Sequence, residues 1–248
     1  MNIINQKKFN KLPDSILFDM DNTLYEYDPA HKEAINAVRS KISNRLGIKK
    51  EDFNIAFNKA RKTIKAQLGD VASSHSRLLY FQKMFENIGL KSQTLLSLDL
   101  EQTYWRIFLK NAILFDGVKD FLDDIRILGI PMVIVTDLTA QIQFKKVIYF
   151  NLDNYFDFIV TSEESGFDKP HPSSFELAIE KIQPKSNCVW MIGDSPKNDI
   201  FGARSSINAV CIQKIHEGVE IGKKLNEPDA YFTKFSELQK FIKRIKGG

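Results

Sequence analysis

Short apolar runs of strand length alternate with segments of helical periodicity over most of this chain. The apolar runs cover residues 16–18, 132–136, 158–161, 188–192 and 209–212. Helical patterns lie over residues 118–128 and 140–150, after Pro172, after Pro196 and from about Phe235. Strands that alternate with helices are typical of a parallel sheet covered by helices. We therefore predict an α/β fold with a doubly wound parallel sheet.

The pattern is helical throughout between the first apolar run and the second. Asp28 and Pro29 are typical of a helix N-cap and first helical position, and apolar residues then recur at spacings of three and four. Further amphipathic segments follow before the strand pattern resumes. This arrangement predicts a bundle of helices, residues 27–113, inserted into a core made of residues 1–26 and 114–248.

Composition narrows the class of protein. At 248 residues the chain is longer than a typical domain of about 100–150 residues, which agrees with a core plus an insertion. The net charge of +4 comes from 35 basic and 31 acidic residues spread along the chain, so we expect no nucleic-acid partner. No apolar run approaches the roughly 20 residues that span a bilayer, and the first residues lack the apolar stretch of a signal peptide. We expect a cytoplasmic protein without a membrane partner.

Two aspartates directly follow the first apolar run. Asp19 and Asp21 are two positions apart at the end of a predicted buried strand. Two like charges 4 Å apart repel by roughly 4 kcal/mol at an effective dielectric of 20. A positive group must therefore lie beside them.

The other predicted strands end in groups that suit such a site. Asp194 comes after the apolar run 188–192 and one glycine, and Asp199 lies five positions later. Thr136 is the last residue of the run 132–136. Lys169 lies in a loop between prolines. Because ligands of parallel α/β sheets bind outside the carboxyl ends of the strands, we expect these side chains to meet there.

Four motifs in this order resemble the haloacid dehalogenase-like hydrolase superfamily. They are DMDNT at 19–23, VT at 135–136, KP at 169–170 and GDSPKND at 193–199. The resemblance covers residues 15–203 and points to the phosphatase branch with a helical cap inserted between the first two motifs. It implies a Rossmann-like core, with residues 25–27 and 114–117 as the hinge strands of the cap.

The resemblance also implies roles for the site residues. Asp19 would attack phosphorus to form an aspartyl phosphate, and Asp21 would act as general acid and then as general base. Thr136, Lys169 and backbone amides near Asp137 would contact the phosphoryl oxygens. An acid at position 137 departs from the family pattern and adds repulsion to a phosphate. The cost is small if only the backbone amide of Asp137 faces the substrate, but substrate preference could differ.

Metal binding is predicted from the charge at this site. Asp19, Asp21, Asp194 and Asp199 together carry four negative charges, which Mg²⁺ and one lysine would reduce to one. Magnesium prefers oxygen ligands and often binds one or two carboxylates with a substrate phosphate. We therefore predict a Mg²⁺ cofactor with these four aspartates as candidate ligands. The sequence leaves open whether Asp199 binds the metal, binds it through water or holds the lysine.

The polar loop at residues 69–77 is the candidate for substrate recognition. Arg77 could bind a carboxylate or second anionic group, and His75 a hydroxyl group or a base edge. Alternatively, both are solvated residues at the start of a helix. His31 and His216 are expected on the surface.

The best-supported function at this stage is a Mg²⁺-dependent phosphatase for a small phosphorylated metabolite, either a sugar phosphate or a nucleoside monophosphate. A phosphomutase would use the same intermediate but transfer the phosphoryl group to a sugar hydroxyl. A non-catalytic binding module with this fold is the alternative outside enzymes. A 2-haloacid dehalogenase is disfavoured because Asp21 is present.

Overall fold

The polypeptide folds as two compact units, one continuous in sequence and the other formed by both ends of the chain. In this computed structural model residues 1–186 and 188–247 are described. The helical unit is Tyr27–Ile113, and the core unit combines Met1–Glu26 with the described residues from Leu114 onward.

The core unit contains a mostly parallel sheet. Its strands are β1 (Asn2–Ile3), β2 (Ser15–Phe18), β3 (Met132–Thr136), β4 (Phe158–Thr161), β5 (Val189–Gly193), β6 (Val210–Lys214) and β7 (Ala230–Phe232). Within the described residues the order is β1-β7-β6-β5-β2-β3-β4, and β1 alone runs antiparallel to its neighbour. The predicted α/β fold class is confirmed. The two short strands β1 and β7 were not predicted.

Helices connect the parallel strands and form the inserted unit. They are α1 (Tyr27–Leu46), α2 (Lys50–Leu68), α3 (Arg77–Asn87), α4 (Thr94–Asn111), α5 (Val118–Ile127), α6 (Ala140–Tyr149), α7 (Ser162–Ser165), α8 (Pro172–Ile182), α9 (Gly202–Ile207) and α10 (Phe235–Gly247). A π-helical turn, Pro196–Phe201, precedes α9. Among the described residues, no helix is both long enough and apolar enough to cross a membrane.

The central strands are buried along their whole length. Every residue of β2, β3 and β5 is inaccessible or nearly so, as expected for strands covered on both faces. One side chain from each of these strands, Leu17, Val133 and Met191, packs with Phe175 of α8 in one apolar cluster. This rigid layer fixes the positions of the loops at the carboxyl ends of the strands.

In the helical unit α1 packs on α4, and α3 packs on both α2 and α4. The interior is strongly aromatic, with Phe57 against both Tyr80 and Phe81. The predicted first hinge strand is wrong at its end, because Tyr27 already belongs to α1. Tyr25 instead forms a single antiparallel bridge with Leu114.

Candidate active site

The site begins where three neighbouring parallel strands end. Asp19 follows β2, Thr136 is the last residue of β3, and Asp194 follows β5. The backbone N–H of Asp19 donates to the carbonyl oxygen of Ile192 at 2.9 Å, so the first loop stays in register with β5 beyond the end of β2. Adjacent strands therefore bring these side chains to one edge of the sheet, as predicted.

Lys169 links the buried acids. Its Nζ donates to Asp19 Oδ1 at 2.7 Å, to Asp199 Oδ1 at 2.7 Å and to the carbonyl oxygen of Val135 at 2.9 Å. Thr23 donates its hydroxyl proton to the other oxygen of Asp19, at 2.7 Å. Both oxygens of Asp19 are thus held by buried donors.

Burial acts in opposite directions on the pKa values of the acids and of the lysine in this cluster. It raises the pKa of Asp19 to about 7, because the nearby ammonium of Lys169 compensates only in part for the lost hydration and Asp199 adds repulsion. For Lys169, burial acts to lower the pKa, but Asp19 and Asp199 outweigh it and raise the pKa well above its ordinary value. Lys169 therefore stays charged at neutral pH.

Three carboxylates form a group that fits a metal ion. Ligand oxygens of Asp19, Asp194 and Asp199 all lie within 4.8 Å of one another. Three negative charges beside the single positive charge of Lys169 leave two negative charges, which one divalent cation would balance. All the candidate ligands are oxygen atoms, the donors that Mg²⁺ prefers. The donor set and the net charge therefore both fit a hard divalent cation.

Asp199 is held by the protein at both oxygens. Besides the bond from Lys169, its Oδ2 accepts the backbone N–H of Ser195 at 2.9 Å. Burial raises its pKa to about 6. Gly193 makes room for it, since a Cβ there would lie 2.5 Å from the Asp199 side chain. Of the predicted roles of Asp199, the observed contacts correspond to holding the lysine.

Asp194 contacts a histidine that was expected on the surface. His216 Nε2 lies 3.3 Å from Asp194 Oδ2, and its Nδ1 lies 2.9 Å from the carbonyl oxygen of Glu217. The hydrogen bond to Asp194 raises the pKa of His216, and burial raises the pKa of Asp194. The His216 side chain is only 11% exposed, so the surface prediction is wrong. Its position two residues after β6 could have indicated the site.

Asp21 lies outside the three-carboxylate group and has its own partners. Lys146 Nζ donates to both Asp21 oxygens, at 2.7 and 2.9 Å, and the Tyr25 hydroxyl donates to Oδ1 at 2.6 Å. Lys146 was not predicted. Ile142, Lys146 and Phe150 recur every four residues, which places this lysine on the apolar face of α6 and could have revealed it.

Thr136 and Asp137 have different surroundings. The side-chain amide of Gln143 donates to Thr136 Oγ1 at 2.9 Å and also to the carbonyl oxygen of Asp137. The Asp137 carboxylate accepts the backbone N–H of Lys169 at 2.9 Å, and burial raises its pKa to about 6. The acid at position 137 therefore orders the Lys169 loop.

Arg77 and His75 lie in the helical unit, which is described by itself. The Arg77 guanidinium lies 5.1 to 5.6 Å from the ring centres of Tyr80, Tyr104 and Trp105. It donates to the Tyr27 hydroxyl and, at 2.5 Å, to the carbonyl oxygen of His75. Arg77 is therefore packed among rings at the start of α3 and is not a freely solvated residue.

His31 joins this aromatic group. Its Nδ1 lies 2.6 Å from the Tyr104 hydroxyl, and its ring stacks on Tyr27 at 5.5 Å between centroids. Burial, together with the charges of Arg77 and Arg61, lowers the pKa of His31 to about 4. The prediction that His31 is a surface residue is wrong.

Fold and site together define an α/β enzyme with buried carboxylates at the carboxyl edge of a Rossmann-like sheet. The model of the haloacid dehalogenase-like hydrolase family matches residues 13–206. The chain belongs to this family, as its four motifs predicted.

Named relatives and a solved structure are consistent with the family. Ribulose-1,5-bisphosphate 5-phosphatase from Halopiger xanaduensis is 32% identical over 81% of this chain and 83% of its own length. Glyceraldehyde 3-phosphate phosphatase from Pyrococcus abyssi is 26% identical over 77% and 76%. The HAD-hydrolase YfnB from Bacillus subtilis, solved with magnesium bound, superposes with a TM-score of 0.72 at 22% identity and covers 94% of this chain and 100% of its own.

These findings confirm the enzyme class. The family is one of hydrolases, and the two relatives described above are named phosphatases. The solved structure, at 22% identity, establishes the fold only. The chain is a phosphoric monoester hydrolase of the haloacid dehalogenase-like family.

Proposed function

We propose that this enzyme is a Mg²⁺-dependent phosphatase that hydrolyses a small sugar phosphate through an aspartyl phosphate on Asp19. The observation that carries the proposal is the buried group of Asp19, Asp194 and Asp199 with Lys169 bridging two of its members. The names of the relatives support the substrate class, since ribulose-1,5-bisphosphate and glyceraldehyde 3-phosphate are both sugar phosphates.

In the first step an oxygen of the Asp19 carboxylate bonds to phosphorus, and the bond between phosphorus and the ester oxygen breaks. Asp21 gives its proton to that oxygen, so the products are a free alcohol, an Asp19 acyl phosphate and an Asp21 carboxylate. Thr23 and Lys169 hold the two oxygens of Asp19 in place for this attack.

In the second step water attacks the phosphorus of the acyl phosphate. One water proton passes to Asp21, the bond from phosphorus to Asp19 breaks, and inorganic phosphate leaves. Asp21 is then protonated again and ready for the next substrate. The two steps together consume one water molecule and need no redox partner.

The metal would be held by Asp19 and Asp194, while Asp199 is engaged with Lys169 and Ser195. A bound Mg²⁺ would neutralise charge on the phosphoryl oxygens. Asp21 was predicted as a ligand, but it lies outside the three-carboxylate group and its oxygens face Lys146 and Tyr25. It is therefore proposed as the proton carrier and not as a metal ligand.

Phosphoryl transfer depends mostly on positioning and on neutralising the equatorial oxygens. Thr136 accepts a hydrogen bond from Gln143, and its own hydroxyl donates to the carbonyl oxygen of Asp137 only at a long distance of 3.4 Å, a contact that a phosphate oxygen would replace. We propose that this hydroxyl, the Lys169 ammonium and the backbone amide of Asp137 contact the substrate. The carboxylate of Asp137 serves the Lys169 loop instead.

The helical unit is proposed as the cap that selects the substrate. Its Arg77 has tyrosine hydroxyls and a carbonyl oxygen as polar partners, and its Nε is buried without a hydrogen bond within the described part of the chain. Buried charges are normally paired, so this guanidinium favours an anionic ligand. We propose that it binds a second anionic group of the substrate and that His75, beside it, contacts a hydroxyl group.

The test is a phosphate-release screen over sugar phosphates and nucleoside monophosphates, with and without Mg²⁺. We expect metal-dependent release that favours sugar phosphates and falls at least about 10³-fold in Asp19→Asn. Stoichiometric inorganic phosphate indicates hydrolysis, whereas an isomerised sugar phosphate indicates a phosphomutase. Wild-type protein that releases no phosphate from any ester, or an Asp19→Asn variant with full turnover, would contradict the proposal.

A further inference from the structure

Lys146 is a buried lysine of the core unit that neither step above uses. It lies on α6, its side chain is 0% exposed, and its Nζ donates to both oxygens of Asp21. Burying an ammonium group costs several kcal/mol unless it is paired and hydrogen-bonded. The pair with Asp21 therefore stabilises this lysine, and it also fixes the orientation of the Asp21 carboxylate.

Tyr25 completes the arrangement. Its hydroxyl donates to Asp21 Oδ1 at 2.6 Å, its ring centre lies 5.7 Å from the Lys146 ammonium, and it is fully buried. Asp21 itself keeps 32% of its side chain exposed. Its carboxylate is thus held by buried donors while solvent can still reach it, which is the geometry that a water-activating base requires.

We propose that Lys146 is a positioning residue for hydrolysis of the aspartyl phosphate. Together with Tyr25, it holds Asp21 so that Asp21 receives the proton of the attacking water. The water oxygen bonds to phosphorus, the bond from phosphorus to Asp19 breaks, and the proton passes to Asp21. This inference rests on the proposed function, and its test isolates the second step of the reaction.

The test uses Lys146→Met, which keeps an unbranched side chain and removes the charge. With p-nitrophenyl phosphate and Mg²⁺ we expect one p-nitrophenol per site in a rapid burst, then a kcat about 10²-fold below wild type, at the low end of acid–base effects. KM should fall with kcat, because the phosphoenzyme accumulates. An alkyl phosphate, whose leaving oxygen also takes its proton from Asp21, should lose kcat at least as strongly as the aryl ester.

Tyr25→Phe and Lys145→Met provide the comparison variants. Tyr25→Phe removes only one donor to Asp21, so it should also show a burst and a lower kcat, but both effects should be smaller than in Lys146→Met. Lys145 is the exposed neighbour on α6, so Lys145→Met should match wild type in kcat and show no burst.

A wild-type kcat in Lys146→Met would overturn the inference, as would an activity loss that follows the folded fraction with no burst. If Lys146→Met does not fold, Tyr25→Phe decides: a burst supports the inference and an unchanged kcat contradicts it. Failure of the proposed function has a different signature, namely wild-type protein without phosphatase activity or an active Asp19→Asn variant.

Discussion

Lys169 is the residue on which the buried acids of the core depend. Its ammonium contacts Asp19 and Asp199 at 2.7 Å each, and all three side chains are almost inaccessible to solvent. Removing one partner from a buried ion pair typically costs about 3–5 kcal/mol, because the other charge stays buried. A metal and this lysine together therefore let the acids remain ionised inside the protein.

The contribution of Asp19 and Asp199 to the stability of the metal-free protein should fall as pH rises from about 4 to about 7. Burial raises the pKa of Asp19 to about 7 and that of Asp199 to about 6, from an ordinary value of 3.8. A carboxyl whose pKa is higher in the folded state contributes stability that is complete below its unfolded pKa and is lost as pH rises through the folded pKa. Urea unfolding in the presence of a chelator, at steps across this range, measures the effect.

Asp19→Asn is the control, because it removes the carboxyl with the larger pKa shift and should make the pH dependence of stability shallower. Mg²⁺ should restore stability most at the high end of the range, since a metal binds the ionised carboxylates. The same pH dependence in Asp19→Asn and wild type would show that Asp19 does not titrate in this way.

Substitution of Arg77 should change substrate selection. Arg77→Met should raise KM about tenfold or more for a phosphate ester that carries a second anionic group, in line with charge-assisted contacts worth about 1.5–3 kcal/mol. A phosphate ester of similar size that lacks the second anionic group is the control substrate and should keep its KM. Lost ring contacts of Arg77, about 0.5–2 kcal/mol, will also lower stability. An equal KM change for both substrates would point to a purely structural role.

At the scale of elements, the strand ends of the site could be predicted because they combine apolar runs with polar residues at their ends. β2, β3 and β5 have this pattern, and their neighbouring positions in the sheet follow from the parallel fold. β1 and β7 could not be predicted, because Asn2–Ile3 and Ala230–Phe232 are too short for a periodic pattern. Their position depends on tertiary hydrogen bonds.

The partners of the catalytic groups were missed for a related reason. Lys146 and His216 come from elements far along the chain from Asp21 and Asp194, and a single basic residue in a helix or loop resembles an ordinary surface residue. Only the four-residue spacing in α6 marks Lys146 as buried. The acids and Lys169 were found because each lies within a motif, whereas Lys146 and His216 do not.

Asp229 provides a test of how the edge strands are held. Its Oδ2 accepts the backbone N–H of Cys211 at 2.9 Å and contacts Arg204 at 3.2 Å, and its backbone oxygen accepts two N–H groups just after β1. Asp229→Ala would leave a buried N–H unsatisfied, so we expect a loss of about 1–3 kcal/mol in the free energy of unfolding.

Denaturant unfolding measures that loss, and kcat should be preserved because β6 and β7 carry none of the proposed catalytic residues. Asp153→Ala, at an exposed position of the core unit, is the matched control and should leave stability within about 0.5 kcal/mol of wild type. Unchanged stability in Asp229→Ala would show that the edge strands are held by other contacts.

At the scale of the whole molecule, the chain leaves the core after Glu26 and returns to it at Leu114. The bridge between Tyr25 and Leu114 places these two crossings side by side, so the core sheet is continuous without the inserted residues. Substrate selection and chemistry are thus proposed to belong to different units of one chain. The role of residues 27–113 as a cap remains a prediction.

The most direct test of the central claim is the location of a phosphoryl group on the protein during turnover. Enzyme mixed with saturating sugar phosphate and Mg²⁺ is quenched in acid, digested and analysed by mass spectrometry. The account predicts a phosphoryl group on the Asp19 side chain, absent without Mg²⁺ and absent in Asp19→Asn. Phosphorylation of a different residue, or a phosphoryl group that persists in Asp19→Asn together with turnover, would contradict it.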